Sequence, residues 1–300
     1  MTEDNANREI GFWRGWSIAV GCAIGSGVFM MPTLLAPYGL LGLGGWLVAG
    51  AGTLLVALSL SRLVKRVPKI GGPYAYVNAG LGNLAGFLVA WTYWISCIAA
   101  VSGIAIAFVG YLGVFIPAIT NSSVLSLLVS LALVWSVIGM NIRSIESSGA
   151  FQVVTTALKI LPLLFIIVLG FSNMQPDILP PVNPTDLHPF AVLATATTLV
   201  MWSFIGIETA TVPADNIYQP DKTIPKILIA SLLTVLVIYF LVSLAIALVV
   251  PADELIGSSA PFALAATKIM GPVGGAIITV GALISTLGSL NANTLTAGQV

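Results

Sequence analysis

Two segments of this chain resemble each other, and each breaks a run otherwise apolar enough to cross a bilayer. The first is Ile24-Gly25-Ser26-Gly27-Val28-Phe29-Met30-Met31-Pro32. The second is Ile205-Gly206-Ile207-Glu208-Thr209-Ala210-Thr211-Val212-Pro213. Both carry Ile-Gly, with a proline seven residues after the glycine. Glycine and proline weaken a helix interior by about 1 and about 3 kcal/mol. Hydrocarbon cannot satisfy the backbone groups so freed, and each break must therefore face protein or a polar cavity. Paired interruptions in two halves of a membrane protein point to a transporter binding site.

Composition excludes the soluble classes. The chain is 58% hydrophobic and 7% charged, with a mean hydropathy of +1.04, whereas a soluble domain carries about 25% charged residues. The expected fold class is an all-α polytopic membrane protein. The 11 basic and 11 acidic residues balance, and no basic run suggests a nucleic-acid partner. One histidine, His188, and no Asp-rich motif leave no metal or catalytic cluster, so neither an enzyme nor a cofactor or metal is expected. Cys22 and Cys97 are too few for a disulfide framework and read as small buried side chains.

A bilayer core needs about 20 apolar residues per helix. On that ruler eight spans lie near 12–36, 41–61, 83–116, 124–141, 149–172, 189–214, 226–250 and 272–300. The polar N-terminus carries no cleavage site, so the first apolar segment remains a membrane helix. Arg8, Arg14, Arg62, Lys65, Arg66, Lys69, Arg143, Lys222 and Lys226 fall on one side of this topology, and only Lys268 falls in the opposite loops. The positive-inside rule then puts the N-terminus in the cytoplasm.

Span 1 runs outward and span 6 inward, so the two broken segments are related by inversion. That is the signature of a five-plus-five inverted repeat, with both breaks at the midplane. Residues 1–300 read as one transporter domain: helices 1–5, about 12–172, form the first repeat, and helices 6–8, about 189–300, an incomplete second one. A complete repeat needs about ten helices, so a C-terminally truncated sequence is expected. The competing reading is that Gly21, Gly25 and Gly27 are only small residues for close helix packing.

The chemistry of the breaks follows from backbone polarity. An unwound turn at Gly25 frees the N–H groups of Gly25, Ser26 and Gly27, at the positive end of a half-helix dipole. Such a site suits a carboxylate, and the Ser26 hydroxyl adds to it. Carbonyls near Trp202, Ser203 and Ile205 suit an ammonium group. Together the breaks would hold an amino acid.

Two ionisable residues lie inside spans, where charge is costly and usually functional. Glu208 sits in the break of span 6; its alternative role is a structural hydrogen bond to a freed backbone group. Lys159 sits in span 5, where its amine could rest on a neighbouring helix's carbonyls in place of a metal cation and take part in proton coupling. Its alternative is snorkelling to the interface.

Four motifs together resemble the amino acid–polyamine–organocation permeases, a family that includes bacterial arginine/agmatine and putrescine/ornithine exchangers. They are Gly25-Ser26-Gly27, Gly71-Gly72-Pro73-Tyr74-Ala75-Tyr76, Trp202-Ser203-Phe204-Ile205-Gly206-Ile207-Glu208 and Pro220-x4-Pro225. The resemblance implies a LeuT-like inverted-repeat fold with discontinuous helices 1 and 6, of which about eight of twelve helices are present. It makes Ile24, Ser26 and Gly27 carboxylate contacts, Trp202 a lid or gate, and Ile205 an α-amino contact. It makes Tyr93 an aromatic closing the cytoplasmic path, Glu208 a proton-sensing residue, and Lys159 the amine that stands where sodium-dependent relatives bind sodium.

The chain departs from the arginine/agmatine pattern at the substrate side chain. Asn293 stands where those exchangers stack a guanidinium on tryptophan, and Val101 and Ile104 replace a polar contact and a methionine. These substitutions suggest a neutral amino acid. The expected activity is proton-coupled symport of an amino acid across a bacterial cytoplasmic membrane. Exchange of two amino compounds is the alternative, and a transport-inactive receptor is the remote one. The implied partners are the substrate, the proton and the lipid bilayer; a homodimer is left open.

Overall fold

The computed structural model describes residues 10–66, 73–143, 148–211 and 217–299. Pro213 and the Gly71-Gly72 pair lie outside them, as does the side chain of Ser26.

Helices fall on all eight expected apolar segments. Span 1 is two helices, α1 (Phe12–Ala23) and α2 (Ser26–Leu35). A 3-10 turn at Ala36–Tyr38 leads into α3 (Gly39–Arg66). A short helix, α4 (Pro73–Leu81), precedes the third span, α5 (Asn83–Leu112). After the small α6 (Pro117–Thr120) come α7 (Ser123–Arg143) and α8 (Ser148–Ser172). Span 6 begins as α9 (Pro189–Met201) and changes to 3-10 turns. The chain continues through α10 (Pro220–Ala247), the one-turn α11 (Ala252–Leu255) and α12 (Pro261–Gln299). The last helix kinks at Gly271, with φ 72°, next to Pro272. Among the described residues the extended pairing is a single bridge between Ile10 and Ile217.

Among the described residues, five helical runs are long and apolar enough to cross a bilayer: Gly27–Arg66, Asn83–Leu112, Ser123–Ile142, Pro220–Ala247 and Pro261–Thr294. Spans 1 and 6 miss that criterion as single helices because they are broken.

Burial separates the helices by role. α10 is the centre of the core: Ile224, Ile227, Leu228, Leu232, Val235, Tyr239, Val242 and Ile246 are fully buried. It packs on α1, α3 and α8, while α12 packs on α5 and α8. α7 is the opposite case. Its side chains Val124, Leu127, Leu128, Leu131 and Trp135 are exposed, although its mean hydropathy is 2.2. An apolar surface of that extent marks contact with lipid.

Buried polar atoms lock helices together. Trp46 on α3 donates through Nε1 to Ser243 Oγ on α10 at 3.1 Å, both buried. Its ring meets Tyr239 and Phe204 at centroid distances of 5.2 and 5.8 Å. Trp46→Phe leaves the Ser243 hydroxyl without this donor. An orphaned buried hydroxyl costs about 1–3 kcal/mol, and a lowered thermal midpoint of the detergent-purified protein is the expected result.

Candidate functional site

The break in span 1 is two residues long. α1 ends at Ala23; Ile24 turns extended, with ψ 95°, and Gly25 is extended at φ −134°, ψ −155° before α2 begins at Ser26. A helix C-terminus leaves its last four carbonyls without amide donors. Here they include those of Gly21, Ala23 and Ile24. These three are met by side chains from three other helices. Lys159 of α8 donates Nζ to Gly21 O at 2.9 Å. Tyr239 of α10 donates its hydroxyl to Ala23 O at 2.7 Å. Ser289 of α12 donates Oγ to Ile24 O at 3.0 Å.

Lys159 is fully buried and therefore does not snorkel. Its ammonium also reaches Ser289 Oγ at 3.1 Å, and the lack of a side chain at Gly288 gives it room. It thus rests on the broken end of α1 and on α12 together.

On the other side of the break, α2 starts with no side-chain cap. Its first N–H groups belong to Ser26 and Gly27. A Cβ at Gly27 would lie 2.6 Å from Ser203 Oγ and 3.0 Å from Ser203 Cα, so the two strands of the site touch there. Ser203 is buried, and its Oγ has no hydrogen-bond partner among the described residues.

Span 6 breaks at Ile205-Gly206. α9 tightens into a 3-10 turn over Trp202–Phe204, Ile205 is extended, and Gly206 has φ 108°. That left-handed value favours glycine. A Cβ at Gly206 would also lie 3.1 Å from the carbonyl carbon and oxygen of Cys22, so the two breaks meet backbone to backbone. The Trp202 carbonyl, expected to be free, accepts from Ile205 N at 3.2 Å, as 3-10 geometry requires.

Glu208 binds the break from inside span 6. Gly206 N donates to Oε1 and Oε2 at 3.1 and 2.9 Å. The Tyr93 hydroxyl of α5 donates to Oε1 at 3.3 Å. The carboxylate therefore holds a freed amide and ties spans 6 and 3 together.

A cavity lies between the breaks, lined by Cys22, Tyr93, Ser96, Cys97, Ile205, Gly206, Ala292 and Asn293. It offers about 20 Å³, room for a single water. A solute larger than a water enters this cavity only when the surrounding segments move apart. Tyr93, Ile205 and Asn293 of the expected residues line it. Asn293 Nδ2 donates to Ser289 O at 3.0 Å.

Val101 and Ile104 are not among the lining residues. Ile104 is buried with Ala100, Val137 and Leu290, and Val101 packs on the same cluster. Tyr93, Cys97, Ala100 and Ile104 share one stripe of α5; its first part lines the cavity, and one to two turns further along it packs on Val137 of α7 and Leu290 of α12. Sequence reasoning missed Cys22, Ser96 and Cys97 as lining residues, and Ser289 and Tyr239 as partners of the broken helix. The four-residue spacings Tyr93–Cys97 and Ser289–Asn293 were the available signals.

A family model described as amino acid permease matches residues 10–300. The chain belongs to the amino acid permease family. Similar proteins include a putative arginine/ornithine antiporter of Bacillus subtilis, 30% identical, with the match covering 94% of this chain and 66% of that protein. The serine/threonine exchanger SteT of Bacillus subtilis is 30% identical, covering 100% and 68%. The putrescine transporter PotE of Escherichia coli is 28% identical, covering 92% and 63%. The permease chain thus spans about two thirds of the length of these relatives. They are membrane transporters, and the apolar helices of this chain make it an integral membrane protein like them.

Gly206 is a residue whose replacement this permease should tolerate poorly. Gly206→Ala sets a Cβ against the Cys22 backbone at a positive φ. A non-glycine residue held in such a backbone region costs about 1–3 kcal/mol, and substrate uptake by the full chain in proteoliposomes should fall by about tenfold or more.

Proposed function

We propose that the chain is a sodium-independent carrier of a small neutral L-amino acid, with its N-terminus in the cytoplasm of a bacterial cell. The observation that supports this reading is the N-terminus of α2, which has no side-chain cap, lying beside a buried Ser203 hydroxyl that has no partner among the described residues. A carboxylate placed between them takes the N–H groups of Ser26 and Gly27 and the Ser203 hydroxyl. Ile24 and Gly25 supply the backbone turn, the α-amino group goes to the span 6 break near Ile205, and Trp202 closes over the substrate as a lid.

The cavity lining supports a neutral side chain. It contains no charged residue, and Glu208 nearby is held by Gly206 and Tyr93. A guanidinium or a second amine would find no free counter-charge. With the amide nitrogen of Asn293 committed to Ser289 O, its oxygen is left to receive a donor, which suits a hydroxyl-bearing or small side chain.

Lys159 supports sodium independence, because its ammonium occupies the carbonyl and hydroxyl oxygens that a cation would use. Its proton also offers a coupling device. Loss of that proton weakens the ties to Gly21 and Ser289 and frees α1 to move relative to α12; Tyr93 and Glu208 make the corresponding tie between spans 3 and 6. This favours proton symport. Exchange is the second reading, favoured by relatives that are named antiporter and exchanger.

The test is uptake of L-serine, L-threonine, L-alanine, L-arginine and putrescine by the full chain in proteoliposomes. Saturable uptake of a neutral amino acid, unchanged by sodium, is the expected result; preference for arginine or putrescine, or dependence on sodium, contradicts it. An inward proton gradient driving uptake into otherwise empty vesicles identifies symport, and uptake only into preloaded vesicles identifies exchange. Lys159→Gln should abolish the response to the proton gradient in the first case.

A further inference from the structure

The lid residue needs a place for its ring, and the structure provides it at a position with no side chain. Gly103 lies on α5, one turn beyond Ala100. A Cβ there would be 2.8 Å from Trp202 Cη2 and 2.9 Å from Cζ2. Carbons in favourable contact stand about 3.5–4.0 Å apart, so the far edge of the indole and any side chain at 103 compete for one space.

Which partner would yield can be read from the packing. The backbone of α5 is anchored on its neighbouring face, where Ala100 and Ile104 are buried against Val137 and Leu290. Trp202 is half-buried and stands where α9 gives way to the 3-10 turn. The atoms that would be struck are the tip of a side chain that swings on two torsions. The ring, not the helix, moves.

We propose that Gly103 is a positioning residue: its missing side chain is the seat of the Trp202 indole, and the depth of that seat sets how the lid lies over the substrate. This rests on the reading of Trp202 as a lid. A methyl group at 103 displaces the ring from α5 toward the break, into the space a substrate occupies. The loss appears in apparent substrate affinity rather than in folding.

A double-mutant cycle tests this in the full chain, with wild type, G103A, W202F and G103A/W202F reconstituted in proteoliposomes. The probe is whichever of L-serine, L-threonine and L-alanine the wild type carries fastest. Phenylalanine lacks the ring edge formed by Cη2 and Cζ2. G103A is expected to raise KM about tenfold when Trp202 is present and by less than about twofold in the W202F background. Equal KM increases in both backgrounds overturn the proposal, as does a G103A variant with a lowered thermal midpoint and an unaltered KM. If G103A alone yields no folded protein, the cycle is read on folded yield: rescue by W202F supports the seat, and no rescue overturns it. W202F with the KM and kcat of wild type would instead remove the lid reading itself, and no uptake of any of the three amino acids would remove the proposed function.

Discussion

An α-helix that stops at Ala23 inside a membrane leaves carbonyl oxygens where no water can reach them from lipid, and the rest of the structure answers that need. Lys159, Tyr239 and Ser289 each send a donor to the end of α1. They come from α8, α10 and α12, so one two-residue break organises three helices around it. Each unmade bond of this kind would cost several kcal/mol in hydrocarbon. The core of α10 and the close packing of α12 on α8 hold those donors in place.

The same break has a second end, and there the need is left open. α2 begins without a side-chain cap, and Ser203 points an unpartnered hydroxyl into the same region. In the proposed function one end of the interruption is satisfied by the protein and the other takes the ligand, and that asymmetry is the ground for reading the break as a binding site rather than a kink. Glu208 treats the second break in the same way: it takes the Gly206 amide and leaves Ile205 exposed to the cavity side.

The breaks themselves were legible in the amino-acid sequence because glycine acts locally, at Gly25 through an extended turn and at Gly206 through a positive φ. Lys159 was legible because a lone charge in an apolar run must find a partner. Tyr239 and Ser289 were not, since a hydroxyl that bonds a carbonyl more than 200 residues away leaves no local pattern. Nor did alignment with a family reveal that Ile104 faces α7 and α12. Ile104 shares its stripe of α5 with Tyr93 and Cys97, and where along that stripe the cavity gives way to packing is decided by the neighbouring helices. Cys22 and Cys97 read as inert for the same reason: size and apolar context do not distinguish a packed thiol from one lining a cavity.

The central claim is that the free end of the first break holds a carboxylate. Its most direct test compares binding of the transported amino acid with that of its carboxamide to the purified full chain, by calorimetry. A site whose buried donors await an anion rejects the neutral analogue strongly, and a loss of affinity of about 100-fold or more is expected for the carboxamide. Equal affinity for the two would contradict the account.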